Sequence, residues 1–254
     1  MLKVSAVIIT LNEENNIGRC IEALENVVDE IIVVDALSSD KTKEICLQHN
    51  VKFHECKWKG FAEQKNYANS LATNDLILSV DADEVLSEKL QNSILIVKQN
   101  DSYAKGFVFT MAMLPFYRGK WIRHSGLHPD YKKRLWNRND AQWSGLIHET
   151  LSFNKPVKTI QLKGNLLHYI SDSDIFNKTK SDKYAALQAQ QMFNKGKKSS
   201  AFKIAYKTFW AFAFTFFCRL GFLDGKIGYE IAVNKAQYTK LKYQLLRKLN
   251  SEAD

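Results

Sequence analysis

Three prolines and eleven glycines are few for 254 residues, and that shortage excludes collagen-like and low-complexity architectures. The four cysteines, Cys20, Cys46, Cys56 and Cys218, stand at spacings that suit neither a metal site nor a disulfide framework, so a reducing compartment is expected. Long apolar runs are also missing. Val4–Thr10 is apolar but gives way at once to Asn12-Glu13-Glu14, which reads as a strand and not as a signal peptide. In the C-terminal part the longest charge-free stretch, Thr208–Cys218, has eleven residues, where a membrane-crossing helix needs about 20. Neither the dinucleotide fingerprint nor the P-loop occurs, which disfavours a Rossmann dehydrogenase and an ordinary ATPase.

What is present is a globular composition, 45% hydrophobic and 25% charged, with an uneven charge. Residues 1–100 carry 10 Lys/Arg against 16 Asp/Glu, residues 101–170 carry 11 against 4, and residues 171–254 carry 15 against 7. An acidic first part followed by a basic remainder implies two regions that face different partners.

The first hundred residues alternate strand and helix signals. Strands are expected at Val4–Thr10, Glu30–Asp35, Val51–His54 and Leu76–Val80, with helices over Ile17–Val28, Thr42–His49 and Phe61–Ala72 and a fourth opened by Ser87 as N-cap. That rhythm predicts an α/β fold with a mostly parallel, doubly wound sheet, whose ligands bind beyond the carboxyl ends of the strands. Thr10, Asp35 and Asp81 all fall there. From Lys105 the rhythm changes to strand candidates at Lys105–Leu114, Lys120–His124, Tyr131–Trp136 and Val157–His168. A helix over Asp174–Asn194, capped by Asp172 or Ser173, follows. Ala201–Phe222 is dense in aromatics and flanked by Lys203, Lys207 and Arg219, the pattern of a helix lying in a membrane interface. A basic helix from Asn234 ends the chain. The organisation expected is residues 1–100 and 101–170 as two halves of one domain, with 171–254 as a helical, membrane-associating extension.

The sharpest constellation is Asp81-Ala82-Asp83-Glu84 at the end of an apolar strand. Carboxylates so placed can share Mg²⁺ or Mn²⁺ with substrate phosphates, and a nucleotide held by metal and carboxylates without a glycine loop points to a nucleotide-sugar. A solvated acidic turn is the alternative reading. For His168 the choice lies between a further metal ligand and a half-buried histidine. Arg134, with Lys132, Lys133 and Arg138, either holds acceptor phosphates or forms a basic solvated strand. Trp121, Trp136 and Trp143 either stack on acceptor sugars or pack in the core.

Three segments, Val7-Ile8-Ile9-Thr10-Leu11-Asn12-Glu13-Glu14, Glu30-Ile31-Ile32-Val33-Val34-Asp35 and Asp81-Ala82-Asp83, resemble the successive motifs of family 2 glycosyltransferases, inverting enzymes of the GT-A fold. Trp143-Ser144-Gly145-Leu146-Ile147-His148-Glu149 and Leu223-Asp224-Gly225-Lys226-Ile227-Gly228 are similar to the branch that adds glucose to the lipopolysaccharide inner core. The resemblance implies that Thr10 and Glu13 line the nucleotide pocket and that Asp35 meets the uracil. It implies that Lys65 contacts base or phosphate, that Asp81 meets the ribose, and that Asp83 ligates the metal on the diphosphate. Glu149 becomes the general base for the acceptor hydroxyl, against the alternative of a loop glutamate paired with a lysine. Trp121, Arg134 and Trp143 are the acceptor candidates. One departure stands out: where the family has a Ser-Gly-Ser-Thr-Asp-Gly-Thr loop after the second strand, this chain has Ala36-Leu37-Ser38-Ser39-Asp40-Lys41-Thr42, without either glycine.

The expected activity is metal-dependent, inverting transfer of a hexose from a UDP-sugar to a lipid-linked glycan at the cytoplasmic face of a bacterial inner membrane. Transfer to polyprenyl phosphate is the enzymatic alternative. A non-enzymatic basic protein that binds membrane or nucleic acid is the alternative from another class. Nucleic acid is disfavoured because the aromatics concentrate in one apolar helix and do not alternate with the basic residues.

Overall fold

The computed structural model describes residues 1–145, 149–170 and 178–253, apart from the side chain of Lys180. The chain forms two units, one of Met1–Leu114 with Asp130–Tyr169 and the other of Pro115–Pro129 with Ile170–Asp254. The expected organisation kept Pro115–Pro129 with the sheet residues; its contacts place it with the C-terminal helices.

In the first unit the apolar runs become strands β1 (Val4–Thr10), β2 (Glu30–Asp35), β3 (Lys52–Glu55) and β4 (Leu76–Asp81), adjacent in the order β3-β2-β1-β4 and mutually parallel. They are connected through helices α1 (Ile17–Glu25), α2 (Thr42–Leu47) and α3 (Phe61–Leu71). Both faces of the strands are covered, as parallel sheets require. Val4, Ala6 and Ile8 pack into one apolar cluster with Ile17, Cys20, Ile21 and Leu24 of α1. Val7, Ile32, Val34 and Ile77 point the other way, towards Ala68 and Ala72 and the indoles of Trp136 and Trp143. This is the two-residue period of a strand read through its burial.

Beyond β4 the sheet turns antiparallel. It continues through β8 (Asp130–Asn137), β6 (Phe107–Tyr117), β11 (Lys158–Tyr169) and β5 (Glu84–Leu86). A separate hairpin pairs β9 (Ala141–Ser144) with β10 (Thr150–Phe153). The doubly wound parallel arrangement is thus confined to four strands. Helix α4 (Glu88–Lys98) starts after Ser87 as expected, but the Ser87 hydroxyl does not cap it: the oxygen accepts from the backbone N–H of Asn165, 2.9 Å away on β11.

The second unit holds α5 (Lys178–Asn194), α6 (Ala201–Ala213) and α7 (Lys226–Ala253). The expected Asp172 or Ser173 cap lies outside the described residues. Between α6 and α7 the chain makes a wide turn over Phe214–Cys218, passes Leu220 at φ 54°, and makes a tight turn over Gly221–Asp224. Asp224 fastens the Pro115–Pro129 segment. Its carboxylate accepts from the backbone N–H groups of Arg123 and His124 and from the Ser125 hydroxyl, at 3.2, 3.1 and 2.7 Å. Gly228 is required by close approach, because a Cβ there would meet the Gly221 carbonyl oxygen at 1.8 Å. The motif around Asp224 therefore builds the unit. The same segment supplies Tyr117 and Ile122, which share a small core with Ile227 and Ile231 of α7. Among the described residues no helix is long and apolar enough to cross a membrane.

Candidate functional site

The register of the parallel strands sets the site. Thr10 stands opposite Asp35, and Ile9 opposite Asp81, so three strands end together where doubly wound sheets bind ligands. The loops that follow are cross-laced. Ser38 Oγ accepts from Asn12 N–H at 2.8 Å, Asn12 Oδ1 accepts from Ser39 N–H at 2.8 Å, and Glu14 Oε2 accepts from Lys41 N–H at 3.0 Å. Asp35 is buried, and its carboxylate accepts from both the N–H and the hydroxyl of Ser38. Thr10 is buried, and among the described residues its hydroxyl has no partner. Glu13 accepts from the Asn16 amide at 2.8 Å. In the loop after β2, Leu37 takes φ 66°, a left-handed step without the residue that makes it cheap.

A cavity of about 440 Å³ opens beside β4, lined by Lys65, Asp81, Arg134, Trp143, Glu149 and His168 among others. Lys65, on α3, is buried. Its ammonium lies 3.0 Å from Asp81 Oδ1, 3.2 Å from Glu149 Oε1 and 4.8 Å from the Trp143 ring centre. Arg134, on β8, is buried too. Its guanidinium is 2.7 Å from Asp81 Oδ2 and also donates to Glu84. Arg134 is thus no solvated strand residue: it lines the cavity, and its Nη2 is committed to two carboxylates. Its buried Nε has no partner among the described residues.

Burial would raise the pKa of Asp81, but the charges of Arg134 and then Lys65 outweigh it and hold the carboxyl well below the ordinary range. Glu84 moves the other way: burial, with the Asp81 charge added, overcomes Arg134. One carboxylate of this pair is firmly ionised while the other resists ionisation, as expected for like charges beside a single guanidinium. On β11, His168 faces Glu84 across the antiparallel ladder, and its Nε2 is 2.9 Å from Asp83 Oδ2. Burial would lower its pKa, but the Asp83 hydrogen bond and the charges of Asp83, Glu84 and Asp81 raise it. Among the described residues no group of three or more His, Cys, Asp or Glu side chains is placed to hold a metal. The Asp83–His168 pair offers one carboxylate and one imidazole nitrogen; the carboxylate suits Mg²⁺ or Mn²⁺ with phosphate oxygens and water, and the imidazole suits a transition metal.

The structure thus brings Lys65, Asp81, Arg134, Trp143, Glu149 and His168 to one cavity, with Asp83 bonded to His168. Thr10, Glu13 and Asp35 lie along the strand ends and their loops. Trp121, on β7 (Lys120–Trp121), belongs to the second unit and packs on Phe116 at 4.8 Å. Trp136 is core. Sequence reasoning gave Glu84 no role of its own, although its place three residues after Asp81 lets it accept the Asp81 N–H at 3.0 Å. It also missed Asn66, whose amide pairs with both the N–H and the carbonyl of Trp143 at 2.9 and 2.8 Å. That two-point grip fixes β9 beside α3, and the adjacency of Asn66 to Lys65 was the available signal.

Comparison with known proteins gives a consistent picture. The sequence model described as "Glycosyl transferase family 2" matches residues 5–159. A glycosyltransferase of Rickettsia typhi is 34% identical over 260 residues, 98% of this chain and 88% of that protein. The lipopolysaccharide core biosynthesis glycosyltransferase LpsC of Rhizobium meliloti is 28% identical over 215 residues, 81% of this chain and 77% of that one. Among solved structures, S. aureus TarS 1–349 in complex with UDP-GlcNAc is 14% identical with a TM-score of 0.48, over 100% of this chain and 93% of that one.

Proposed function

The chain belongs to glycosyl transferase family 2 and is a glycosyltransferase, and from that premise we propose that it transfers a hexose, glucose, with inversion from a UDP-sugar to a lipid-linked glycan of the lipopolysaccharide inner-core class. The observation that carries this reading is the convergence of Lys65, Asp81 and Glu149 on one cavity at the carboxyl end of β4. The similarity to LpsC supports the acceptor class. We place the protein on the cytoplasmic face of a bacterial inner membrane, held there by the second unit.

The donor's nucleoside lies along Thr10, Glu13 and Asp35, and its ribose reaches Asp81. Lys65 is the cation nearest to the diphosphate. Asp83 and His168 would hold Mg²⁺ or Mn²⁺, which as a Lewis acid eases departure of UDP. Glu149 takes the proton from the acceptor hydroxyl as that oxygen attacks the anomeric carbon from the face opposite the leaving group. A single displacement needs one base, as in inverting glycosidases. Glu149 is paired to Lys65, and a diphosphate that draws the ammonium leaves the carboxylate free to take the proton. Trp143, held by Asn66 and buried against Trp136, lines the same cavity, where an acceptor sugar would meet it.

The test is calorimetric titration of UDP, with and without Mn²⁺, into the wild type and Asp83→Asn. Binding that needs Mn²⁺ and weakens at least about tenfold in the variant is the expected result. Absence of UDP binding under either condition overturns the donor assignment.

A further inference from the structure

The second unit contains a cavity of about 420 Å³ that the reaction does not use. Arg219 and Lys235 line it, and among the described residues it has no acidic side chain on its wall. No described carboxylate is ion-paired with either cation; Arg219 lies over the Phe214 ring at 5.4 Å and Lys235 near the Tyr238 ring at 5.8 Å. The uncompensated charge extends along α7, where burial, and then the charge of Lys235, lowers the pKa of Lys242. The Arg219 backbone is fixed, since its carbonyl accepts from Ser125 N–H at 2.9 Å. The remaining wall is mixed: Ser125, Ser181, Thr215 and Asn234 offer polar groups, and Leu127, Phe214 and Ile231 an apolar side. Two cations and neutral hydrogen-bonding groups beside an apolar side suit an anion that carries an apolar body.

Helix α6 supplies the second observation. Its N-cap is sound, with Ser200 Oγ accepting from Lys203 N–H, yet none of its residues is buried. Phe202, Tyr206, Phe209 and Trp210, followed by Phe214 and Phe217 in the turn beyond, recur at three- and four-residue spacing, and all are exposed. Phe202 and Phe209 are exposed by 81% and 69%. An aromatic stripe turned to solvent and flanked by lysines is the pattern of a helix bound in a bilayer interface. Phe214 belongs to both features: it extends the stripe and lines the cavity.

From this continuity we propose that the cavity binds the phosphate headgroup of an anionic bilayer lipid, whose acyl portion follows the exposed aromatic stripe of α6. The proposal rests on the membrane placement given above and adds a headgroup site to it. Two cations favour a phosphomonoester, which carries close to two charges, over a singly charged diester.

The test uses the full-length protein and flotation with vesicles of phosphatidylcholine alone, or with ~20% phosphatidic acid or phosphatidylglycerol. The variants are the Arg219→Gln/Lys235→Gln pair, a charge-matched Lys240→Gln/Arg247→Gln pair on exposed positions outside the cavity, and Phe209→Ser. Tightest binding to phosphatidic acid is expected, weakened about 30-fold by the cavity pair, as two lipid-facing cations imply, and much less by the charge-matched pair. Phe209→Ser, at a solvent-exposed position, should weaken binding to every vesicle. If the wild type floats with no vesicle, the membrane placement itself fails, and the headgroup site with it. If it floats but both paired variants lose affinity equally, the membrane placement stands and the headgroup site is overturned. Calorimetric binding of inorganic phosphate, with vesicle affinity unmoved by the cavity pair, assigns the cavity to a soluble anion and overturns it as well. So does a concentration-dependent dimer that is broken by Phe209→Ser and ignores vesicles.

Discussion

Glu149 stands 3.2 Å from the Lys65 ammonium, so it is lysine-paired as one reading of the sequence had it, and the pairing agrees with a catalytic role as well as with a structural one. The two roles separate in the Glu149→Gln variant. As base, its loss should cut turnover by about 10²–10⁴-fold while UDP affinity holds; a parallel loss of UDP affinity would make it a donor-site residue. Leu37 poses the opposite case, a residue whose conformation suits another. At φ 66° a leucine costs about 1–2 kcal/mol, of which glycine recovers part after its own entropy loss. Leu37→Gly should therefore raise unfolding stability by about 0.5–1 kcal/mol, read from a urea titration. Its leucine side chain is exposed, so little packing is lost in exchange.

At the scale of elements, Glu30 joins three pieces of chain at the start of β2. Its carboxylate accepts from the Ser5 hydroxyl, from Thr73 N–H and from Lys52. Burial would raise its pKa, but these donors, Lys52 first, lower it from 4.5 to about 2. The stabilisation is therefore complete above pH 4.5, where the unfolded carboxyl is also ionised, and is lost as pH falls through about 2. Glu30→Gln should cost about 1–2 kcal/mol near neutrality and progressively less towards about pH 3, measured by urea unfolding of both proteins. The packing of α4 on β11 depends on a missing side chain. Gly164 has φ 103°, and a Cβ there would lie 2.3 Å from the Leu90 nitrogen. Gly164→Ala should destabilise by about 3 kcal/mol, overpacking added to backbone strain. Gly106→Ala, at φ 79° with nothing within 4 Å, should cost only the strain, about 1 kcal/mol.

At the scale of the molecule, the parallel half was legible because β1, β2 and β4 are mainly apolar runs ending in a polar residue, and α1 shows Ile17, Cys20, Ile21 and Leu24 at helical spacing. The antiparallel half was harder: β5 has three residues, and its partner on β11 lies some eighty positions away. The site divided in the same way. Asp81 and Asp83 announce themselves locally, whereas the Lys65–Glu149 and Arg134–Glu84 pairs join residues 84 and 50 positions apart, and no periodicity encodes such a closure. Of the two readings of Arg134 the solvated one fails, because a basic residue in a strand reads as exposed unless the carboxylates facing it are known. The Asp224 motif was visible as a motif, but its hydrogen bonds to Arg123, His124 and Ser125 are a matter of tertiary structure.

The core shared by Tyr117, Ile122, Ile227 and Ile231 also sets a timetable. A ribosome adding about 5–20 residues each second delivers the first pair roughly 5–20 seconds before the second. Through that interval the segment opened first waits for the helix made last. A translational pause or a premature stop within α7 leaves an apolar hairpin already outside the exit tunnel with nothing to close over it, a substrate for chaperones and proteases.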